Sequence, residues 1–130
     1  VRRSWSGPVP WVTALFTVVA VTACSPPGSA LPPAESDLGD PDRGRTLIAE
    51  YGCGSCHVVP GVQNAVGLVG PPLTSFGRRS YIAGELQNNA DNLQRWIRDP
   101  QDVEPGTAMP DLGVTAIDAR DIAAYLLTLG

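Results

Sequence analysis

The chain of 130 residues has no lysine, one histidine, one methionine and three cysteines. Its nine positive charges are all arginines, scattered singly or in pairs against thirteen Asp and Glu, for a formal charge of −4. Aromatics do not interleave with them, so a basic nucleic-acid-binding face is excluded. No segment alternates as a β-strand, and no internal repeat is visible. The one long apolar run, Trp11 to Ala23, is thirteen residues broken by threonines, short of the roughly 20 that a membrane-spanning helix needs. What the chain has in quantity is 14 Gly and 13 Pro. That composition implies one modest core among long loops, and small cores commonly need a staple or a bound group.

The N-terminal part is a different material from the rest. Arg2 and Arg3 precede the apolar run, and small residues follow it up to Cys24, the pattern of a signal peptide over residues 1–23. Val21-Thr-Ala-Cys24 resembles the lipobox of bacterial lipoproteins, which makes Cys24 the expected lipidation site; an uncleaved helix, a disulfide or a free thiol are the alternatives. Removing residues 1–23 takes away two Arg and no acid, leaving seven Arg against thirteen acids and a charge of −6. Residues 24–39 then form a tether. The stretch SPPGSALPPAESDLG is too poor in apolar residues to fold, and its fifteen residues reach roughly 45 Å at about 3 Å each.

Residues 40–130 carry the folded domain. Asp40-Pro41 is a plausible cap and first turn, and Leu47, Ile48 and Tyr51 share one face of the helix that follows. Residues 58–80 read as a long loop, with a short helical turn expected over Tyr81 to Leu86. Asp91 to Arg98 is a second helix, with Leu93, Trp96 and Ile97 on one face and Pro100 as its stop. A further loop from Asp99 to Val114 leads to a last helix opened by Thr115, with Asp118 in a capping-box position and an apolar stripe at Ile122, Tyr125, Leu126 and Leu129. The domain reads as all-α, three main helices around long loops.

Two of the three cysteines and the only histidine fall within Cys53-Gly-Ser-Cys56-His57. Three chemistries fit. A dithiol redox pair needs only the C-x-x-C but usually sits in a βαβ context. A structural zinc site needs four ligands, and beyond these three the chain offers only Cys24. In covalent haem attachment, two thiols add to the vinyl groups and the adjacent imidazole takes an axial iron position. An exported all-α chain with a small core favours the last. Met109, the lone methionine, stands in Pro105-Gly-Thr-Ala-Met-Pro110, where flanking prolines limit backbone freedom and suit a thioether held at fixed distance from iron.

In order along residues 40–130, Gly44, Cys53-Gly-Ser-Cys-His57, Gly70-Pro-Pro-Leu73, Phe76-Gly-Arg78, Leu93 to Ile97, Pro100, Pro105-Gly-Thr-Ala-Met109 and the closing helix resemble a class I c-type cytochrome. The resemblance implies one covalent haem c, with His57 and Met109 as iron ligands. It also implies that the Pro71 carbonyl accepts the His57 Nδ1 proton, that Arg78 pairs with a haem propionate and that Trp96 lines the methionine side. Gly44 and Ile48 are expected to cross the last helix near Tyr125 and Leu126. The lysine ring by which many soluble members dock is missing.

These features imply a monomeric, membrane-tethered, monohaem electron carrier in an extracytoplasmic respiratory chain, not an enzyme with turnover of its own. The segment from Ser80 to Pro110 is also similar to cytochrome c domains fused to subunit II of haem-copper oxidases. It implies a free-standing donor to such an oxidase, supplied by a quinol-oxidising complex. The alternative is a haem-based small-ligand sensor or peroxidase-like protein with a displaceable Met109, against which stands the lack of a second histidine.

Overall fold

Asp40 builds the first turn. Its carboxylate accepts from the N–H groups of Asp42 (2.9 Å) and Arg43 (3.2 Å), Pro41 sits at the first helical position, and helix α1 runs Pro41–Glu50. In the computed structural model the described residues are Ser4, Gly7, Pro8 and 39–130. Apart from those three and Gly39, the expected signal peptide, Cys24 and the tether lie outside the described residues.

After α1 come a single 3-10 turn at Cys53–Ser55, a long irregular segment, a second 3-10 turn at Phe76–Arg78, and a small antiparallel hairpin, β1 Tyr81–Ile82 with β2 Leu86–Gln87. The hairpin replaces the helical turn expected over Tyr81 to Leu86. Ala83 and Gly84 both take positive φ (52° and 86°) at the centre of a turn closed by the Glu85 N–H on the Ile82 carbonyl (3.0 Å), and with Glu85 they form the loop between the paired Ile82 and Leu86. Helix α2 spans Ala90–Arg98, capped by Asn89, whose side chain accepts from the Asn92 N–H. Pro100 ends α2 as expected but also opens a four-residue helix, α3 Pro100–Val103, inside what reads in sequence as loop. Helix α4, Ala116–Thr128, starts at Thr115, whose hydroxyl oxygen accepts from the Asp118 N–H at 3.2 Å.

The core forms where α4 packs on α1 and α2, around Ile48, Leu93, Ile122 and Leu126. Gly44 makes the α1–α4 approach possible: a Cβ there would lie 1.9 Å from the Asp121 carbonyl oxygen. The crossing therefore centres on Asp121 and Ile122, one turn earlier than the expected Tyr125 and Leu126. Tyr125 instead reaches the long loop, donating to the Pro60 carbonyl at 2.5 Å.

The same crossing carries a buried carboxylate. Asp121, 3% exposed, accepts from the Asp40 N–H at 2.9 Å and pairs with the Arg43 guanidinium, which also pairs with Asp118. Burial alone would push the Asp121 carboxyl up. The Asp40 N–H and Arg43 outweigh it and hold the group below the usual carboxylate range. A depressed folded-state pKa means stability that is complete above the unfolded carboxylate pKa and drains away as pH falls through the folded value. Asp121→Asn is expected to cost about 1–2 kcal/mol at neutral pH and to flatten the loss of stability below about pH 4. Urea melts at neutral and acid pH check both.

Candidate haem site

Where α1 ends, Gly52 takes φ 70° and turns the chain into Cys53–Ser55. His57 N–H bonds back to the Cys53 carbonyl at 3.0 Å, so this one tight turn sets both thiols and the imidazole. No disulfide joins the two thiols. Burial pushes the Cys53 thiol up, opposite to the lowered pKa of a reactive dithiol motif. His57 Nδ1 lies 2.7 Å from the Pro71 carbonyl. That acceptor places the proton on Nδ1 and leaves Nε2 its lone pair. Gly70 lies flat against the ring, since a Cβ on it would stand 2.3 Å from His57 Cε1. Any larger residue would drive the imidazole out of place.

These groups open onto a cavity of about 450 Å³. Cys53, Cys56, His57, Pro71, Trp96 and Met109 all line it, brought together from the turn after α1, the loop after His57, helix α2 and the loop after α3. Its remaining wall is mostly aliphatic and aromatic, including Ile48, Phe76 and Ile82. The charged side chains on it are Arg79 and Glu104. Arg78 is not on the wall. The 3-10 turn Phe76–Arg78 leaves Arg78 exposed, and the extended backbone at Arg79 turns that side chain inward. Arg79 bonds to the Pro72 carbonyl and lies 5.1 Å from the centroid of the Phe76 ring.

Among the described residues no group of three or more His, Cys, Asp or Glu is arranged to hold a metal ion, so the cysteine–histidine turn does not belong to a zinc cluster there. The cavity suits a flat apolar group joined at one edge to two thiols and faced by an imidazole nitrogen.

The cytochrome c family model matches residues 41–130. The chain belongs to the cytochrome c family. The cytochrome is 42% identical over 89 residues to cytochrome c oxidase subunit 2 of Alkalihalophilus pseudofirmus, covering 68% of this chain and 25% of that protein. It is 35% identical over 94 residues to cytochrome c oxidase subunit 2 of Bacillus subtilis, covering 71% of this chain and 26% of that one. With cytochrome c of Euglena viridis it shares 34% identity over 104 residues, 70% of this chain and 98% of that protein. It thus spans about a quarter of the oxidase subunits that it matches and nearly all of the Euglena protein. It is a class I c-type cytochrome with the all-α fold of that class, and its cofactor is covalent haem c.

One residue of the cytochrome's site is missed by sequence reasoning. Gln101, in α3, donates from Nε2 to the carbonyls of Thr107 (2.8 Å) and Met109 (3.1 Å) and accepts at Oε1 from the Gly106 N–H (3.1 Å). It ties the methionine loop to the short helix before it. A glutamine six to eight residues from its carbonyl partners carries no local signal. Only the existence of α3, hidden behind Pro100, brings it into reach.

Proposed function

We propose that this cytochrome is a membrane-tethered electron carrier of an extracytoplasmic respiratory chain, passing single electrons to a haem-copper oxidase. The observation that carries the proposal is that one apolar cavity gathers Cys53, Cys56, His57 and Met109. In it, Cys53 and Cys56 would hold haem c through two thioethers, and His57 and Met109 would supply the iron's protein ligands. Haem c so ligated supplies a one-electron couple with a positive potential. With His57 and Met109 both engaged by the group, no place would be left for a substrate, and the task would be transfer and not turnover. Arg79, anchored on the Pro72 carbonyl and Phe76, takes the propionate role expected of Arg78. The relatives named cytochrome c oxidase subunit 2 support the oxidase as acceptor. A quinol-oxidising complex is the proposed donor, and acylated Cys24 the proposed anchor.

The test is oxidation of the reduced, purified protein by a detergent-purified haem-copper oxidase, followed by its visible spectrum. Rapid oxidation with oxygen uptake is the expected result. A protein that cycles reversibly with small reagents but is not oxidised by the enzyme would remove the oxidase placement. A high-spin ferric spectrum that changes on adding peroxide would move the protein to the sensor or peroxidase class.

The clamp on the methionine loop gives a second expectation. Each hydrogen bond from Gln101 is worth about 1 kcal/mol, so Gln101→Ala should raise the affinity of the ferric protein for added imidazole about tenfold or more. Titration of the methionine-ligation band with imidazole measures this. Equal affinity in wild type and variant would show that Gln101 does not hold Met109.

A further inference from the structure

We propose that Asn88 is the positioning residue for the cation of the cavity: by holding the turn Phe76–Arg78, it keeps the guanidinium of Arg79, and not that of Arg78, on the cavity wall. The proposal rests on the reading above, in which Arg79 meets the haem propionates, and adds a residue that does not itself line the cavity.

Arg78 and Arg79 carry the same side chain one position apart, so the backbone decides which of them faces inward. The turn is entered through Ser75 at φ 52° and left through Arg79 at φ −73° and ψ 144°. A serine in the left-handed region persists only where its surroundings hold it. The extended Arg79, in turn, is what stops the 3-10 turn from running on for another residue. Such a turn needs support from outside. On one side it comes from the end of α4: the Gly77 N–H donates to the Leu129 carbonyl at 2.7 Å, and a Cβ on Gly77 would lie 2.3 Å from the Leu127 carbonyl oxygen. On the other side stands Asn88.

Its Nδ2 donates to the carbonyls of Phe76 and of Arg79, both at 3.0 Å. The Phe76 carbonyl also accepts from the Arg79 N–H at 3.1 Å, so one amide grips both ends of the segment that the turn closes. The bond to Arg79 matters most, because the ψ of a residue sets the direction of its own carbonyl. With that carbonyl held, Arg79 stays extended. Its side chain is then half-buried on the Pro72 carbonyl and the Phe76 ring, while Arg78 is left exposed. Asn88 can hold the turn because its own backbone is fixed: its N–H donates to the Ser80 carbonyl at 2.9 Å, β2 ends just before it, and Asn89 just after it caps α2.

The other end of the amide argues for the same role. Both partners are carbonyls, which only accept, so the NH₂ group faces them and Oδ1 points away. Oδ1 is buried with no hydrogen-bond partner among the described residues. A leucine of similar shape would fill the space without burying an unpaired oxygen. What asparagine supplies, and leucine cannot, is the hold on two carbonyls.

The test compares Asn88→Leu, Arg79→Gln and Arg78→Gln, and Asn88→Leu combined with each arginine variant, all in the haem-loaded protein. The readouts are the midpoint potential and the nuclear Overhauser contact between the Arg79 side chain and the Phe76 ring in the reduced state. A cation beside the cofactor favours its reduced form, so Arg79→Gln should shift the one-electron equilibrium toward the oxidised form about threefold to tenfold, tenfold being about 59 mV. Asn88→Leu should lose the Arg79–Phe76 contact, shift the equilibrium the same way by at least half as much on a logarithmic scale, and add nothing once Arg79 is glutamine. Arg78→Gln should stay within about twofold and add independently to Asn88→Leu. An Asn88→Leu protein that keeps the contact, that leaves the potential unmoved where Arg79→Gln moves it, or that lowers the potential equally with and without Arg79 overturns the proposal and leaves Asn88 a merely structural part. If Asn88→Leu does not take up haem, Asn88→Ser, which keeps a single donor, is read by the same criteria. Should Arg79→Gln leave the potential unmoved while the Asn88 variant still loses the contact, the propionate role of Arg79 falls and the positioning role of Asn88 stands.

Discussion

Changing both Cys53 and Cys56 to serine is expected to give a colourless chain without a cooperative unfolding transition. The cavity wall and the core are largely the same residues: Ile48, Leu93, Ile97, Ile122 and Leu126 are buried in the core and line the cavity. The haem is therefore the centre of the core and not a passenger in it. A cavity of about 450 Å³, left unfilled at about 24 cal/mol per Å³, would cost on the order of 10 kcal/mol. That is as large as the whole stability of an ordinary domain, about 5–15 kcal/mol. Water entering the cavity lowers the cost but puts apolar wall back into contact with solvent. The helices, deprived of their common contact, are too short to persist alone. Far-UV circular dichroism and a urea titration of the double variant check this. A helical, cooperatively melting apo-protein would show that α1, α2 and α4 build a sufficient core by themselves.

The features legible in sequence are those whose partners lie within a few residues. Asp40 reaches N–H groups two and three positions on, and Thr115 reaches Asp118, so the starts of α1 and α4 follow from local chemistry. The cysteine–histidine turn is equally local. Contacts that only the tertiary fold creates were not legible. Arg43 and Asp121 are 78 positions apart, and nothing in either's neighbourhood announces the pair. The α1–α4 crossing was expected one turn too late, because the apolar stripe fixes which face of a helix is buried but not where along its length another helix meets it. The hairpin escaped because strands of two residues are too short to alternate; Gly84 was its one trace. Arg78 and Arg79 are chemically identical neighbours, and only the backbone direction after the 3-10 turn separates the wall from the surface.

Met109→Ala should give a large change in redox properties, with the covalent attachment intact. Cys53 and Cys56 lie on a different segment from Met109, and the imidazole is oriented by Pro71 and Gly70, so neither attachment nor the His57 side depends on the methionine loop. The loop itself keeps its frame, because Gln101 bonds to backbone groups of Gly106, Thr107 and residue 109 that alanine retains. What disappears is the thioether proposed as iron ligand, a soft donor of the kind that favours the reduced state. Its loss should lower the midpoint potential by on the order of 0.1–0.3 V, part of the roughly 0.8 V over which axial ligands tune haem. The methionine-ligation band of the ferric spectrum should vanish, and the variant should bind added imidazole far more tightly than wild type does. Spectroelectrochemical titration measures all three on one sample. An unchanged potential and spectrum would take Met109 out of the ligand role.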